Sequence, residues 1–187
     1  MEWVCFLLGK KIEGFYVAGG GLQDFSRSLR ALVERKKSYC VYFVNMKLLC
    51  RAAEHEDSSV ALRNADMLIP GSRWLAWRLR QRREINALRI SREHLIATLL
   101  ESLPWNMVCF YGEDNYRLRT LTQKYPEITA IRPHAKSLSA DTVLNAGGFS
   151  LVLVCLPDPE QLRWMNAMKG KVKACMLGLG DGNNTWF

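Results

Sequence analysis

The chain is poor in the residues that build metal and redox centres. It has three histidines (His55, His94 and His134), far apart and in no HxxxH spacing, so a histidine-based metal site has no sequence support. Its six cysteines (5, 40, 50, 109, 155 and 175) form no CxxC pair. Cys40, Cys109, Cys155 and Cys175 lie within apolar runs, where a free thiol behaves as a small hydrophobe, so reduced core thiols are expected rather than disulfides or metal ligands. There is no GxSxG elbow and no Cys–His pair close in sequence, which leaves nucleophilic catalysis without a local signature. No apolar run approaches the roughly 20 residues that cross a bilayer. The opening MEWVCFLLGKK carries its lysines after the apolar stretch, with no cationic segment before it, which argues against a secretory signal. A cytoplasmic protein, at most peripheral to the inner face of a membrane, is expected.

Acidic residues are also in short supply. Against 26 lysines and arginines stand 18 acids, a net charge of +8 in 187 residues, with a pI near 9.3. That balance favours phosphates, nucleotides, nucleic acid or anionic lipid as partners and is silent on fold. With 49% hydrophobic and 24% charged residues the composition is globular, and the length suits one domain with a sizeable core. No internal repeat, low-complexity tract or linker interrupts it, so residues 1–187 read as one domain.

Short apolar runs alternate with helix-like segments. YCVYFVN (39–45), DMLI (66–69), MVCFYG (107–112), EITAIR (127–132), FSLVLVCL (149–156) and VKACMLG (172–178) read as strands, and LRIS (88–91) fits less well. Several are continuously apolar, as strands buried on both faces of a parallel sheet are. Helices are expected over 22–37, 46–65 with a break near 57–59, 72–83, 92–102, 114–125, 138–146 and 159–169. This succession predicts an α/β, Rossmann-like fold: an open, mostly parallel sheet with helices on both faces.

Ligands of such sheets sit beyond the carboxyl ends of the strands. That singles out Asn45, Pro70-Gly71-Ser72, Gly112-Glu113-Asp114, Pro157-Asp158-Pro159 and Gly178-Leu179-Gly180-Asp181. Asp114, Asp158 and Asp181 are the carboxylates best placed to act as a base. Asp158 also suits the N-cap of the following helix, with Pro159 at its first position and Gln161 in its first turn facing a ligand. GLGDGNN (178–184) lacks the GxGxxG spacing and a following helix, so no nicotinamide cofactor is expected. AGGG (18–21) reads as a turn, or as an anion site at a helix N-terminus. In IPGSRWLAWRLRQRRE (69–84) the arginines at 73, 78, 80, 82 and 83 scatter around a helix drawn at 100° per residue. That predicts a surface helix with buried tryptophans and solvated arginines, and disfavours a nucleic-acid or membrane face.

Taken in order, these segments resemble the bacterial WecG/TagA/CpsF glycosyltransferase family from about residue 12 onward. VNMKLLCRAAEHEDSSVALRNADMLIPGSRWLAW is similar to the family's Asn-Ala-Glu segment and its ADLVLPDGVGVVW element, and LRISREHL to RVxGxDL. VCFYGEDNYRLRTLTQKYP, LVLVCLPDPEQLRWM and CMLGLGDGNNTWF are similar to its later elements, and Phe187 falls before the family's basic C-terminal extension.

The resemblance implies transfer of a sugar from a UDP-sugar to a polyprenyl-diphosphate-linked sugar at the membrane surface in surface-polysaccharide biosynthesis. It implies no metal or other cofactor, and leaves a homo-oligomer or protein partner open. It places substrate contacts at Asn45, Arg89, Gly112, Gln161, Gly178 and Gly180, to which the strand-end pattern adds Ser72 and Asp158. The family's catalytic Asp falls on Gly71, with Asp66 and Ser72 as adjacent substitutes for that base. A hydroxyl residue of the family falls on Phe43, the Gly and Asp of RVxGxDL on Arg92 and His94, and a late Asp on Asn184. These departures leave two readings: a divergent transferase, or a catalytically impaired member that binds a nucleotide-sugar or a partner.

Overall fold

The alternation of side chains along buried strands divides this protein into two cores. The computed structural model describes residues 9–12, 14–81, 87–132 and 139–180. Cys5, Arg82, Arg83, His134, Asp181, Asn183 and Asn184 lie outside the described residues. The chain opens with an antiparallel hairpin, β1 (Gly9–Ile12) and β2 (Phe15–Ala18). Six further strands follow: β3 (Tyr39–Val44), β4 (Met67–Pro70), β5 (Val108–Gly112), β6 (Thr129–Ile131), β7 (Leu151–Cys155) and β8 (Cys175–Gly178). They form one open sheet in the order β4-β3-β8-β7-β5-β6, and every ladder in it is parallel.

Eight α-helices lie among the described residues: α1 (Leu22–Glu34), α2 (Met46–Glu54), α3 (Glu56–Arg63), α4 (Arg73–Arg80), α5 (Arg92–Ser102), α6 (Tyr116–Lys124), α7 (Ala140–Ala146) and α8 (Glu160–Met168). Successive strand residues point to opposite faces. Cys40, Tyr42, Val44, Val152, Val154 and Met176 join α2, α3, α4, α7 and α8 on one face. Val41, Phe43, Leu151, Leu153, Cys155 and Leu177 join α1, α5 and α6 on the other. The Rossmann-like α/β arrangement expected from the apolar runs is therefore present, and the strands are buried on both sides as those runs require.

Three details differ from the sequence expectation. The hairpin escapes a reading by apolar runs, because each strand is four residues long and the turn rests on Gly14, whose φ is +85°. It sets Ile12, Phe15 and Val17 on the first core and packs β2 beside β4. Residues 88–91 form no strand: Leu88 N–H donates to Gly20 O (3.1 Å) and Ile90 N–H to Pro70 O (3.2 Å), which pins an irregular segment at the end of β4. The expected 46–65 helix breaks at His55, the end of α2 and the cap of α3.

The five cysteines among the described residues are all free. Burial pushes the thiols of Cys40, Cys109 and Cys155 up to about 12, and that of Cys175 further still, so these are inert core groups. Strand contact in the centre of the sheet is tight enough to demand glycine. A Cβ on Gly112 would collide with the backbone carbonyl of Cys155 in β7, which no rotamer change relieves. Gly112→Ala is expected to cost about 1–3 kcal/mol, lowering Tm by roughly 3–10 °C in a thermal melt.

Candidate functional site

Because every strand of the sheet runs the same way, all six carboxyl ends reach one edge. That edge collects Asn45 after β3, Gly71 and Ser72 after β4, Gly112 at the end of β5, Asp158 after β7, and Gly178 and Gly180 at β8. Several of these side chains also start helices. Asn45 Oδ1 accepts Leu48 N–H (2.8 Å) and Ser72 Oγ accepts Leu75 N–H (3.3 Å), so each caps the helix leaving its strand.

β5 and β7 are neighbours whose following helices part company. β5 leads into α6 on one face and β7 into α8 on the other, which makes their shared end a topological switch point. Asn115 closes it: Oδ1 accepts Leu118 N–H (2.9 Å), capping α6, while Nδ2 reaches across to Cys155 O. Two residues on, Arg117 is 15% exposed and donates to Glu93 Oε1 at 2.6 Å. Glu93 also accepts from Ser91 Oγ (2.8 Å), and Ser91 caps α5. Next to it Arg92, half-buried, places its guanidinium 5.3 Å from the ring centroid of Phe43 near the end of β3.

Electrostatically this cluster is unresolved. The Nε groups of both Arg92 and Arg117 are buried with no acceptor among the described residues. Burial lowers the pKa of Arg92 and the charge of Arg117 lowers it further, against opposing effects of Asp158 and Glu93. For Glu93, burial pushes the carboxyl up, but hydrogen bonds from Arg117, its own backbone and Ser91 outweigh that and hold it at about 2. Both arginines stand in the first turns of their helices, where the macrodipole disfavours a cation and attracts an anion. An arrangement of this kind fits a multiply charged anion.

A cleft of about 440 Å³ opens between α2, α3 and the start of α8, lined by Leu48, His55, Asp57, Asp158, Leu162 and Arg163 among others. Asp158 thus faces the cleft and lies near Arg92. It is not the helix N-cap: α8 begins at Glu160 with Pro159 in the cap position, because Asp158 is taken up in the turn between strand and helix. Gln161, 4% exposed, uses its Oε1 to accept Gly180 N–H (2.7 Å), and its amide end fills the space a Cβ on Gly178 would need. The close approaches at Gly112 and Gly178 are thus to Cys155 and Gln161. Arg89 is exposed just before the α5 cap, near enough to add its charge against Arg92.

Two base candidates are displaced. Asp66 precedes β4, at the opposite edge from Gly71, where its carboxylate accepts Cys40 N–H (2.8 Å) and pairs with Lys169 (2.9 Å). The whole strand separates it from the site, so it cannot substitute for a base there. Asp114 is paired with Arg119 at 2.8 Å, which holds its carboxyl below the usual range. In the AGGG turn, Gly21 N–H is taken by the Asp24 carboxylate (2.9 Å). Among the described residues no three His, Cys, Asp or Glu side chains converge as a metal site would need, and no helix is long and apolar enough to cross a membrane.

The sequence reading misses Arg92, Arg117 and Asn115 as a group. Their signal is two arginines in first helical turns, where acids are expected. The same reading expects the tryptophans of α4 to be buried, and they are not: Trp74 is 48% and Trp77 50% exposed.

The model of the glycosyl transferase WecG/TagA/CpsF family matches residues 10–185. No curated protein matches the chain.

Proposed function

Since the chain belongs to the WecG/TagA/CpsF family of glycosyl transferases, we propose that it moves a sugar from a UDP-sugar to a lipid-diphosphate-linked acceptor in bacterial surface-polysaccharide assembly. The observation that carries this reading is the Arg92–Arg117 cluster at the switch point, with its two buried, acceptor-less Nε–H groups. A nucleoside diphosphate supplies the missing acceptors and the negative charge that both helix ends favour. The cleft beside Asp158 is large enough for a hexose or a nucleoside. Asn45, Ser72, Arg89 and Gln161 border the same edge. Donor and acceptor meet there, on a protein that works at the membrane surface from the cytoplasmic side.

In this reading the arginines neutralise the diphosphate as it leaves, stabilising charge that develops in the transition state. A base at the acceptor hydroxyl is the weak part. Gly71 offers no side chain, Asp66 is at the wrong edge, and of the four acidic residues that line the cleft (Glu54, Glu56, Asp57 and Asp158) Asp158 is the one that follows a strand of the sheet. Gly71 therefore favours a second reading, in which the chain binds the nucleotide-sugar with little turnover. Incubation with a panel of UDP-sugars and a lipid-diphosphate-sugar acceptor separates the two. An extended lipid is the expected product; a raised Tm with UDP and no product selects the binding reading, and neither effect refutes both.

A further inference from the structure

α4 is short and its buried side is narrow. Leu75, Ala76 and Leu79 fill it, and Leu75 and Leu79 join the first core. At 100° per residue those three occupy one arc, and Arg73, Trp74, Trp77, Arg78, Arg80 and Gln81 occupy the other. All six of these side chains are exposed. The two indoles lie 6.2 Å apart, tilted by 54°, in the middle of that arc with arginines on either side. Among the described residues no carboxylate pairs with Arg73, Arg78 or Arg80. No acidic residue occurs from Met67 to Arg83. Ser72 caps the helix directly after the end of β4, so the indoles stand within roughly 10 Å, along the helix axis, of the candidate site's edge.

We propose that this face of α4 docks on an anionic phospholipid surface, seating Trp74 and Trp77 at headgroup depth and the arginines on lipid phosphates. The proposal rests on the reading that the acceptor is lipid-borne, and deepens it by naming the surface that meets the lipid. Two neighbouring half-exposed tryptophans are unusual on a surface that stays in water, and indole favours the boundary between water and hydrocarbon. The face is convex and its rings are tilted, which suits a broad flat partner better than a groove that stacks successive bases. Its arginines, which have no carboxylate partner among the described residues although Arg78 donates to Gln81 Oε1 (2.7 Å), complement anionic headgroups. Its position brings the carboxyl edge of the sheet onto the membrane that carries the acceptor.

The test uses the whole protein with vesicles of phosphatidylcholine, with and without phosphatidylglycerol. Sedimentation with the anionic vesicles and a blue shift of tryptophan emission are expected, and weak binding to the neutral ones. Trp74→Ala/Trp77→Ala and Arg73→Glu/Arg78→Glu should each weaken partitioning by about tenfold or more, since one arginine near such a surface is worth about fivefold. UDP binding, read by calorimetry, should stay at the wild-type value in both variants. Quenching of the unaltered protein by acyl-brominated phosphatidylglycerol should occur, a result independent of how the variants fold. The proposal is overturned by wild-type protein that ignores anionic vesicles, by variants that bind them unchanged, or by a single-stranded oligonucleotide that displaces the vesicles through the same residues. Loss of vesicle binding by the wild type with UDP binding intact refutes this surface alone; absence of UDP binding in the wild type counts against the donor site and leaves the vesicle result standing.

Discussion

Arg92→Met is expected to stabilise the protein while weakening UDP binding by roughly tenfold to a hundredfold, the range set by losing one charge-assisted hydrogen-bond group of about 1.5–3 kcal/mol. The two effects share a cause. In the absence of an anion, Arg92 is half-buried beside Arg117, with its Nε–H buried and unaccepted and its pKa lowered by burial and then by its like-charged neighbour. It also sits at the first position of α5, at the positive end of the helix. A methionine keeps the packing over Phe43 and removes the charge. A gain near 1 kcal/mol corresponds to about 2–4 °C in Tm for a chain of this size. Arg117→Met should weaken UDP similarly but leave Tm nearly unchanged, because its pair with the mostly exposed Glu93 is lost at the same time. Calorimetric titration with UDP and thermal melts of each variant measure both quantities. A fall in Tm together with unchanged affinity for Arg92→Met would mean that the arginine is structural and the diphosphate binds elsewhere.

What can be seen in the sequence follows from how locally each feature is encoded. Strands buried on both faces announce themselves as continuous apolar runs, so YCVYFVN and FSLVLVCL are legible without any partner. Their carboxyl ends are then legible too, which is why Asn45, Ser72, Gly112 and Asp158 do gather at one edge. Asp66 misleads for the same reason: five residues from Gly71 is close along the chain, but the intervening strand carries the two to opposite edges. The α4 tryptophans mislead because a pattern drawn over 72–83 shows no single face, whereas over Arg73–Arg80 the buried and exposed side chains separate into two arcs. Arg92 and Arg117 lie 25 positions apart and meet only through the sheet, and no local period reports that.

Three positions at which the resemblance implies a departure from the family meet in space, and this decides what placing a carboxylate at position 71 will do. By the resemblance, Phe43 falls where the family has a hydroxyl, Gly71 where it has the catalytic Asp, and Arg92 where it has a glycine. In the fold a Cβ on Gly71 would lie 3.7 Å from Phe43 Cβ, and Arg92 lies over the ring of the same phenylalanine. Gly71 does not have a positive φ, and its closest new contact is Val44 O at 3.3 Å, so an aspartate there requires the carbonyl at the end of β3 to give by a few tenths of an ångström. Gly71→Asp alone, however, puts the new carboxylate within reach of Arg92. An adjacent arginine lowers a carboxyl pKa by about 1–3 units and weakens it as a base. The single variant is therefore expected to raise kcat only slightly and to raise KM for the UDP-sugar, since the introduced carboxylate competes with the diphosphate for Arg92. Gly71→Asp/Arg92→Gly frees the carboxylate and should raise kcat over that of Arg92→Gly by roughly 10²–10⁴, the usual worth of a positioned base, with KM at least about tenfold above the wild-type value. The double-mutant cycle in kcat should then be strongly non-additive, because Arg92→Gly by itself supplies no base. A full gain from Gly71→Asp alone with KM unchanged would place Arg92 out of reach of position 71; no gain from the double variant would mean that Asp158, facing the cleft, already serves as the base.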